Sequence, residues 1–311
     1  LQGLNTGTVR SLITPALLER LRALGGLRLW SEAPLAPFTT IGAGGKAGLL
    51  VTVLDPQALA GALRAVEEEG VPWLCLGAGS NLLVADGGYP GVVVKLDEGF
   101  HYVEGLPSPG DGRSVGDEVV IKVGGGAYLA RLAAVVAENG LAGLEFVCGI
   151  PGSVGGGVAM SAGAHGRWLG HVVEAVECTD ASGATWWDGD TLGWSYRHCT
   201  LPEKAVVTAV TLRLEKGDSR DILDRHRTLL RARRSAQPRG LRTFGSVFKN
   251  PAGDAAGRLL DEAGLKGVRR GGAEVSTVHA NFIVNLGDAT TADILALMTI
   301  MHDTVLRTVG V

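Results

Sequence analysis

Several features are scarce or missing in this sequence, and each absence excludes a class of protein. Aromatic residues make up 5% of the 311 residues and charged residues 20%, with a formal net charge of −3. The chain therefore lacks the basic, aromatic-rich character of a protein that coats nucleic acid or an anionic membrane. No apolar run approaches the roughly 18 residues of a membrane span, and the first residues show no signal-peptide pattern. We expect neither nucleic acid nor a membrane as a partner.

The four cysteines carry no pattern that would support a zinc site or a disulfide scaffold. They are Cys75, Cys148, Cys178 and Cys199. None forms a CxxC pair, and the histidines are too widely separated to offer two ligands on one helix face. We predict a reduced, cytoplasmic protein without a metal site.

Glycine is abundant instead, with 47 residues, which is roughly twice its usual share. No collagen-like period accounts for the excess. Many backbone positions are therefore expected to need positive φ or a close approach to a ligand.

The order of short helical and strand-like segments predicts an α+β protein in three blocks after an opening helix. The predicted divisions are 1–30, 31–97, 98–216 and 217–311. The predicted helices are 9–28, one starting after Asp55, 127–139, a long arginine-rich one starting near Asp218, 254–263 and 291–309. The predicted strands are 71–76, 92–96, 119–123, 172–178, 205–214, 246–249 and 281–286. The stretch 106–116 is predicted to be a surface loop.

The first glycine-rich motif, Gly77–Leu83, follows a strand. Its backbone N–H groups, with the Ser80 hydroxyl and the Asn81 amide, could surround a diphosphate. The alternative is a tight turn between two strands. The motif is neither the GxGxxG fingerprint, which would need glycine at position 82, nor a Walker loop.

The second motif, Gly149–Gly157, is followed by small residues at 161–164. Glycines inside a helix or strand cost about 0.5–1 kcal/mol each relative to alanine, so some compensation is expected. A flat ring or a diphosphate lying against bare backbone would supply it. A plain glycine-rich loop is the alternative.

Two further features allow both a functional and a structural interpretation. Ser246 stands between a glycine and an apolar segment, so its hydroxyl could serve as a proton donor or nucleophile, or could be an ordinary strand hydroxyl. It lacks a GxSxG elbow, and a hydrolase triad is not supported. Seven arginines within 225–242, a stretch without acidic residues, indicate either a pocket for nucleotide phosphates or a basic surface.

Taken in order, these segments resemble the UDP-N-acetylenolpyruvoylglucosamine reductase family. The matching segments are 35–47, 77–83, 143–145, 149–157, Ser195-Tyr196-Arg197, 245–251, 257–261, 264–267 and 279–285. The close spacing in the third block is similar to the shorter subtype, which lacks an inserted tyrosine-bearing loop.

The resemblance implies a non-covalent FAD in a two-domain module of the vanillyl-alcohol oxidase type, formed by 31–97 and 98–216. A C-terminal α+β domain, 217–311, would bind the UDP-sugar. The implied cofactor-binding residues are Gly77, Ala78, Gly79, Ser80, Asn81, Leu82, Ile150, Pro151, Gly152, Ser153, Val154, Gly155, Gly156, Ala162 and Gly163. The implied substrate-binding residues are Tyr196, Arg234, Lys249, Asn250 and Lys266.

The implied reaction is the reduction of UDP-N-acetylglucosamine enolpyruvate to UDP-N-acetylmuramate in peptidoglycan synthesis, with NADPH as hydride donor. As the β-carbon takes hydride, negative charge develops at the α-carbon and carboxylate, so a fixed cation and a proton donor are needed. Arg197 would be the cation and Ser246 the donor, with support from Lys249 or water. A monomer in the cytoplasm is expected.

Three departures from the family pattern stand out. Cys199 replaces a usual serine, Ser161 replaces a usual asparagine, and the Leu-Glu-x-Glu-Val segment carrying a catalytic glutamate is not present before residue 311. We therefore expect a sequence truncated at its C-terminus. Two rival hypotheses remain: a non-catalytic flavin or nucleotide-sugar binding module, and another oxidoreductase of the same FAD-binding fold.

Overall fold

The computed structural model describes residues 11–108 and 114–311. Residues 9 and 10 of the predicted opening helix, and 109–113 of the predicted loop at 106–116, lie outside these ranges. The described chain contains three main sheets that follow one another along the sequence, each with its own helices.

The first unit is built on a four-stranded sheet in the order β1-β2-β4-β3, with β1 antiparallel to β2 and the other pairs parallel. Its elements are α1 (Pro15–Leu24), β1 (Leu27–Ser31), β2 (Ala47–Val53), α2 (Pro56–Glu68), β3 (Trp73–Leu76) and β4 (Tyr89–Leu96). As predicted, α2 starts at Asp55, whose carboxylate accepts a hydrogen bond from Gln57 N at 2.9 Å. Leu59 and Leu63, on the inner face of α2, are fully buried.

The predicted opening helix over 9–28 is too long at both ends: the helix begins at Pro15, after the capping residue Thr14, and ends at Leu24. Gly25 and Gly26 adopt φ of 67° and 61°, and a left-handed backbone stops an α-helix. The residues that follow form β1 and pair with β2, so they belong to the first sheet.

The second unit is built on an antiparallel sheet in the order β11-β10-β14-β6-β5, with β7 beside β14. Its elements are β5 (Val103–Glu104), β6 (Glu118–Gly124), α3 (Leu129–Glu138), β7 (Leu141–Ala142), α4 (Val154–Ala159), β8 (Gly163–Ala164), β9 (Arg167–Trp168), β10 (Val173–Thr179), β11 (Ala184–Asp188), β12 (Gly193–Ser195), β13 (His198–Thr200) and β14 (Val206–Lys216). A core including Ile121, Val136 and Val210 lies under the sheet.

The last part of the chain comprises α5 (Ser219–Ala236), α6 (Ala256–Glu262), β15 (Arg269–Arg270), β16 (Ala273–Val275), β17 (Ile283–Asn285) and α7 (Thr291–Val309). The Asp218 side chain caps α5, and α7 has the limits that the sequence predicts. Helix α5 packs on α3, and Arg225 forms an ion pair with Glu145 at 3.0 Å. The small sheet β15-β16-β17 packs against α7.

The strand predicted at 246–249 is wrong. Only Ser246 forms a single antiparallel bridge, with Phe282, and the next residues bend. The apolar pattern of Val247 and Phe248 reflects packing against the core around α6 and α7, and no continuous ladder accompanies it.

The third sheet and α7 are joined to the first unit by side chains. The Asp86 carboxylate accepts hydrogen bonds from Thr291 N and Ala292 N, at 2.8 and 2.9 Å, at the start of α7. Asn285 Nδ2 donates to Ile41 O at 2.9 Å, and both residues are buried.

Candidate active site

A cavity of about 130 Å³ lies between the first and second units. It is lined mainly by segments of glycine and other small residues at the ends of strands, and by α4. The lining residues are Cys75, Leu76, Gly77, Ala78, Lys95, Leu96, His101, Gly125, Gly126, Tyr128, Ser153, Gly155, Gly156, Ala159, Leu201, Ala205, Val206 and Val207. Both predicted glycine motifs contribute to it.

The glycines leave space here that a side chain would fill. A Cβ at Gly77 would lie 2.6 Å from Ser153 Oγ, and one at Gly155 would lie 3.0 Å from Val207 O. The two motifs also meet directly, since Ser80 Oγ donates to Pro151 O at 2.7 Å. A glycine-lined groove with exposed backbone fits a dinucleotide lying against the chain.

The hydroxyl of Ser153, one of the implied cofactor-binding residues, makes a hydrogen bond within the protein. Its Oγ accepts a hydrogen bond from Gly156 N at 3.2 Å and caps α4, which incorporates the glycines of the second motif. Asn81 is exposed at the tip of the first motif. The second half of this motif is therefore the start of a short capped helix, and its first half, 149–152, is a non-helical segment before the cap.

Tyr196 and Arg197 lie in the turn between β12 and β13. Arg197 has a φ of 60°, a conformation that costs an ordinary residue about 1–3 kcal/mol and is found preferentially at functional sites. Its Nη1 donates to Gly163 O at 3.3 Å, and its guanidinium lies 5.5 Å from the centre of the Tyr196 ring. Arg197 is thus held beside the predicted cofactor residue Gly163.

Ser246 lies close to the first glycine motif, in a segment that makes one bridge to Phe282 near the third sheet. A Cβ at the preceding Gly245 would lie 3.9 Å from Ser80 O, which brings Ser246 next to the first glycine motif. Ser246 is exposed, and in the described part of the chain its Oγ makes no hydrogen bond. The predicted support from Lys249 is not observed: Lys249 is exposed and makes no side-chain hydrogen bond to a described residue.

The predicted substrate residues divide into two groups. Asn250 N donates to the Tyr196 hydroxyl at 3.4 Å, and Asn250 Oδ1 accepts from Ala256 N at 3.1 Å, so Asn250 bridges to the Arg197 turn. Lys266 is instead paired with Asp261 at 2.6 Å. Arg234 is exposed on α5, and its side chain makes no hydrogen bond to a described residue.

Arg233, one position before Arg234, is one of the seven arginines of the stretch 225–242, although the resemblance implied Arg234 as the substrate-binding one. Its side chain packs beside Gly149, at 3.2 Å from the position of a Cβ there. Burial lowers the pKa of Arg233, Cys148 opposes that shift, and the positive charge of Arg197 adds to it. Within the described ranges Arg233 has no ion-pair partner, so its half-buried positive charge is uncompensated there.

Sequence reasoning also missed the cavity residues Gly125 and Gly126, together with the aromatic pair His101 and Tyr128. The ring centres of that pair are 5.7 Å apart. The signal was available as three consecutive glycines, 124–126, between a predicted strand and a predicted helix. No local signal marks His101 as a lining residue.

Two of the departures from the family pattern have a structural account. Cys199 is buried in the core of the second unit, and burial raises the pKa of its thiol to about 11, so it packs as an apolar residue. Ser161 is buried with a φ of 43°, a conformation that asparagine adopts more readily than serine.

Comparison with known proteins first defines the class. The model of the FAD binding domain family matches residues 47–189, which contain both glycine motifs and most of the residues that line the cavity. The chain is therefore a flavoprotein in which an FAD binding domain is followed by a C-terminal α+β domain, and the predicted α+β fold class is confirmed.

The particular family follows from the C-terminal match and from whole-chain relatives. The model of the UDP-N-acetylenolpyruvoylglucosamine reductase C-terminal domain matches residues 237–311. A reductase of that name from Myxococcus xanthus is 44% identical over 96% of this chain and 94% of its own length. One from Anaeromyxobacter sp. is 47% identical over 90% and 85%. The chain belongs to the UDP-N-acetylenolpyruvoylglucosamine reductase family, as the resemblance predicts.

A solved structure supports the same conclusion. The crystal structure of the reductase from Thermus caldophilus has a TM-score of 0.77 and 37% identity, and covers 89% of this chain and 94% of its own. In the ranges that the structure describes, none of the helices combines the length and the apolar character needed to cross a bilayer.

Proposed function

We propose that Arg197 and Ser246 carry out the family's reaction in this chain, the reduction of UDP-N-acetylglucosamine enolpyruvate by NADPH. The observation that carries the proposal is the convergence of three units. Gly245 lies close to Ser80 of the first glycine motif, and Asn250 N bonds to the Tyr196 hydroxyl, so the segment 245–250 contacts both that motif and the turn that carries Arg197. The rival hypothesis of another oxidoreductase gains no support from the matched C-terminal domain.

The residues of the cavity fit FAD. The bare backbone at Gly77 and Gly155 leaves room for a flat or extended group, and the motifs 77–82 and 150–156 offer N–H groups for its diphosphate. When bound, FAD takes hydride from NADPH and supplies it to the enolpyruvyl β-carbon.

The protein's part begins with charge. Arg197, fixed by its bond to Gly163 O, provides a planar cation for the substrate carboxylate, where negative charge accumulates in the transition state. Arg233 adds to the positive potential there. A half-buried guanidinium without an acidic partner in the described chain is stabilised when an anion enters, because an uncompensated buried charge is costly.

Ser246 then delivers the proton to the α-carbon. Its hydroxyl is exposed to the cleft and forms no hydrogen bond to a described protein group, so it is free to approach the substrate and to be reprotonated from water. Lys249 and Asn250, next along the chain, are the groups proposed for the UDP diphosphate.

The test separates the two halves of the reaction. Ser246→Ala and a control, Ser235→Ala on exposed α5, are loaded with FAD, reduced anaerobically with NADPH and mixed with the enolpyruvyl UDP-sugar. Ser246→Ala should bleach normally but recover the oxidised flavin spectrum about 10²–10⁴-fold more slowly, the usual worth of a general acid. Recovery at the wild-type rate would remove Ser246 from the proton-donor role.

A monomeric state and a cytoplasmic location belong to the same proposal. NADPH and a UDP-sugar are soluble cytoplasmic compounds, and the four cysteines are free thiols in the structure, as suits a reducing compartment. Light scattering on the FAD-loaded protein tests the first point: a mass of twice 32.2 kDa would overturn it.

A further inference from the structure

We infer that Asn281 is a positioning residue for Ser246, acting through the backbone of Phe248. The inference rests on the proposed proton-donor role of Ser246 and concerns how the protein holds that hydroxyl in place.

The side-chain amide of Asn281 clamps Phe248 from both sides. Asn281 Oδ1 accepts from Phe248 N at 2.9 Å, and Asn281 Nδ2 donates to Phe248 O at 2.9 Å. A third bond runs from Val247 N to Asn281 O, also at 2.9 Å. With 3% of its surface exposed, Asn281 has no water to replace these partners.

These bonds matter because, in the described chain, no continuous strand pairing holds the residues that follow Ser246. Ser246 forms one bridge to Phe282, and the residues after it are in bends rather than in a strand. An amide side chain has the same donor and acceptor as a peptide group, so Asn281 supplies the pair of bonds that a neighbouring strand would give. Since Ser246 Oγ has no bond of its own to a described residue, its position depends on this backbone.

Asn281 is itself fixed from the other direction. Its N–H donates to His279 Nδ1 at 3.2 Å, so that ring nitrogen must be unprotonated. The His279 ring packs edge-on against Phe282, with centres 4.9 Å apart. Burial, followed by the charge of Lys266, lowers the pKa of His279 and favours the neutral ring.

The test replaces one bond and keeps the shape. Asn281→Asp retains an acceptor for Phe248 N but sets a carboxylate oxygen against Phe248 O. We expect NADPH to bleach the flavin at the wild-type rate, while reoxidation at saturating enolpyruvyl substrate slows about 10²-fold, as for a catalytic group displaced by about 1 Å. Burial beside a carbonyl raises the pKa of the introduced carboxyl, so lowering the pH should restore its donor and narrow the gap to wild type.

Asn285→Asp is the matched control. Asn285 is equally buried, at 4% exposure, and its amide is also fully used: Nδ2 donates to Ile41 O, and Oδ1 accepts from Gly287 N and Ala289 N. It does not touch the segment after Ser246. We expect a comparable loss of thermal stability, a wild-type reoxidation rate and no recovery on lowering the pH.

A double variant separates this inference from the proposed function. If Asn281 acts through Ser246, Ser246→Ala with Asn281→Asp should reoxidise no more slowly than Ser246→Ala alone. A wild-type rate in Ser246→Ala overturns the proton-donor role itself. A slow Ser246→Ala combined with a normal Asn281→Asp, or with losses that multiply in the double variant, overturns only the positioning role.

Discussion

The third sheet and α7 meet the first and second units in two different ways. Toward the first unit, Asn285 donates to the buried Ile41 carbonyl, and the Asp86 carboxylate accepts two bonds from the start of α7. Toward the second unit, the contact at the site is the 3.4 Å bond from Asn250 N to the Tyr196 hydroxyl, whose residue is 56% exposed. One face is built from charge-assisted and buried hydrogen bonds, and the other rests on a long, solvent-accessible bond.

The difference matters because the two residues proposed to act on the substrate, Ser246 and Arg197, stand on opposite sides of the weaker contact. Ser246 belongs to the segment fastened to the first unit, together with the Gly77–Leu82 motif. Arg197 belongs to the second unit. The strong face therefore fixes β17 and α7 on the first unit. The proposed proton donor is held separately by the Asn281 side chain. The weak face leaves space between that donor and Arg197 for the substrate.

The largest expected effect comes from removing the cation on the weak side. Arg197→Met should slow reoxidation by the enolpyruvyl substrate about 10²–10³-fold, as the loss of one charge-stabilising group does elsewhere. Arg307→Met, in the exposed last turn of α7, is the control. Rapid-mixing absorbance measurements follow the rate, and an unimpaired Arg197→Met would separate the cation from the site.

The next effect tests the strong face. Asp86→Ala removes the acceptor for two N–H groups at the start of a 19-residue helix and should lower the unfolding free energy by about 1–2 kcal/mol. Asp303→Ala, exposed near the other end of α7 and paired only with a neighbouring histidine, should change it far less. Equal losses in urea titrations would contradict the strength assigned to this contact.

A smaller effect should appear as pH dependence in α5, the helix that leads from the second unit to the third sheet. His226 is buried with its Nδ1 unpartnered among the described atoms, and burial lowers its pKa, opposed by Glu145 and Glu138 and assisted by Arg227. The unfolded chain thus binds a proton first, so stability should be complete above the ordinary histidine pKa and decline as pH falls below it.

His226→Leu should flatten that decline in thermal unfolding between about pH 7 and 5, the range over which a free histidine titrates. His302→Gln, on the exposed face of α7, should keep the wild-type slope. An unchanged slope in His226→Leu would assign the pH dependence to other groups.

The smallest effect is expected at the weak face. Tyr196→Phe removes the bond to Asn250 N and should cost no more than about 0.5 kcal/mol in unfolding free energy, since the bond is long and exposed. Isothermal titration calorimetry with the enolpyruvyl UDP-sugar, on both forms, checks whether the Tyr196 hydroxyl also contributes to substrate binding. A loss as large as that of Asp86→Ala would erase the contrast between the two faces.

Features encoded by neighbouring residues could be predicted from the sequence. Caps and apolar periodicity gave α2, α5 and α7, and the order of the glycine motifs indicated a shared groove. The strand at 246–249 was mispredicted because its bonding partner is the side chain of Asn281, more than 30 residues away. Arg234 was implied by the family resemblance. Successive helix residues point about 100° apart, so the packing of α5 on α3, which the sequence does not show, decides that Arg233 is half-buried and Arg234 exposed.

The left-handed backbone of Arg197 has a consequence for attempts to stabilise this protein by selection. Glycine would relieve that conformation by about 1 kcal/mol, so a screen for heat resistance alone should enrich Arg197→Gly. The selected variants would be more stable and would have lost the cation proposed to bind the substrate carboxylate. An engineering programme on this chain therefore has to select for turnover together with melting temperature, or it will trade one for the other at this single position.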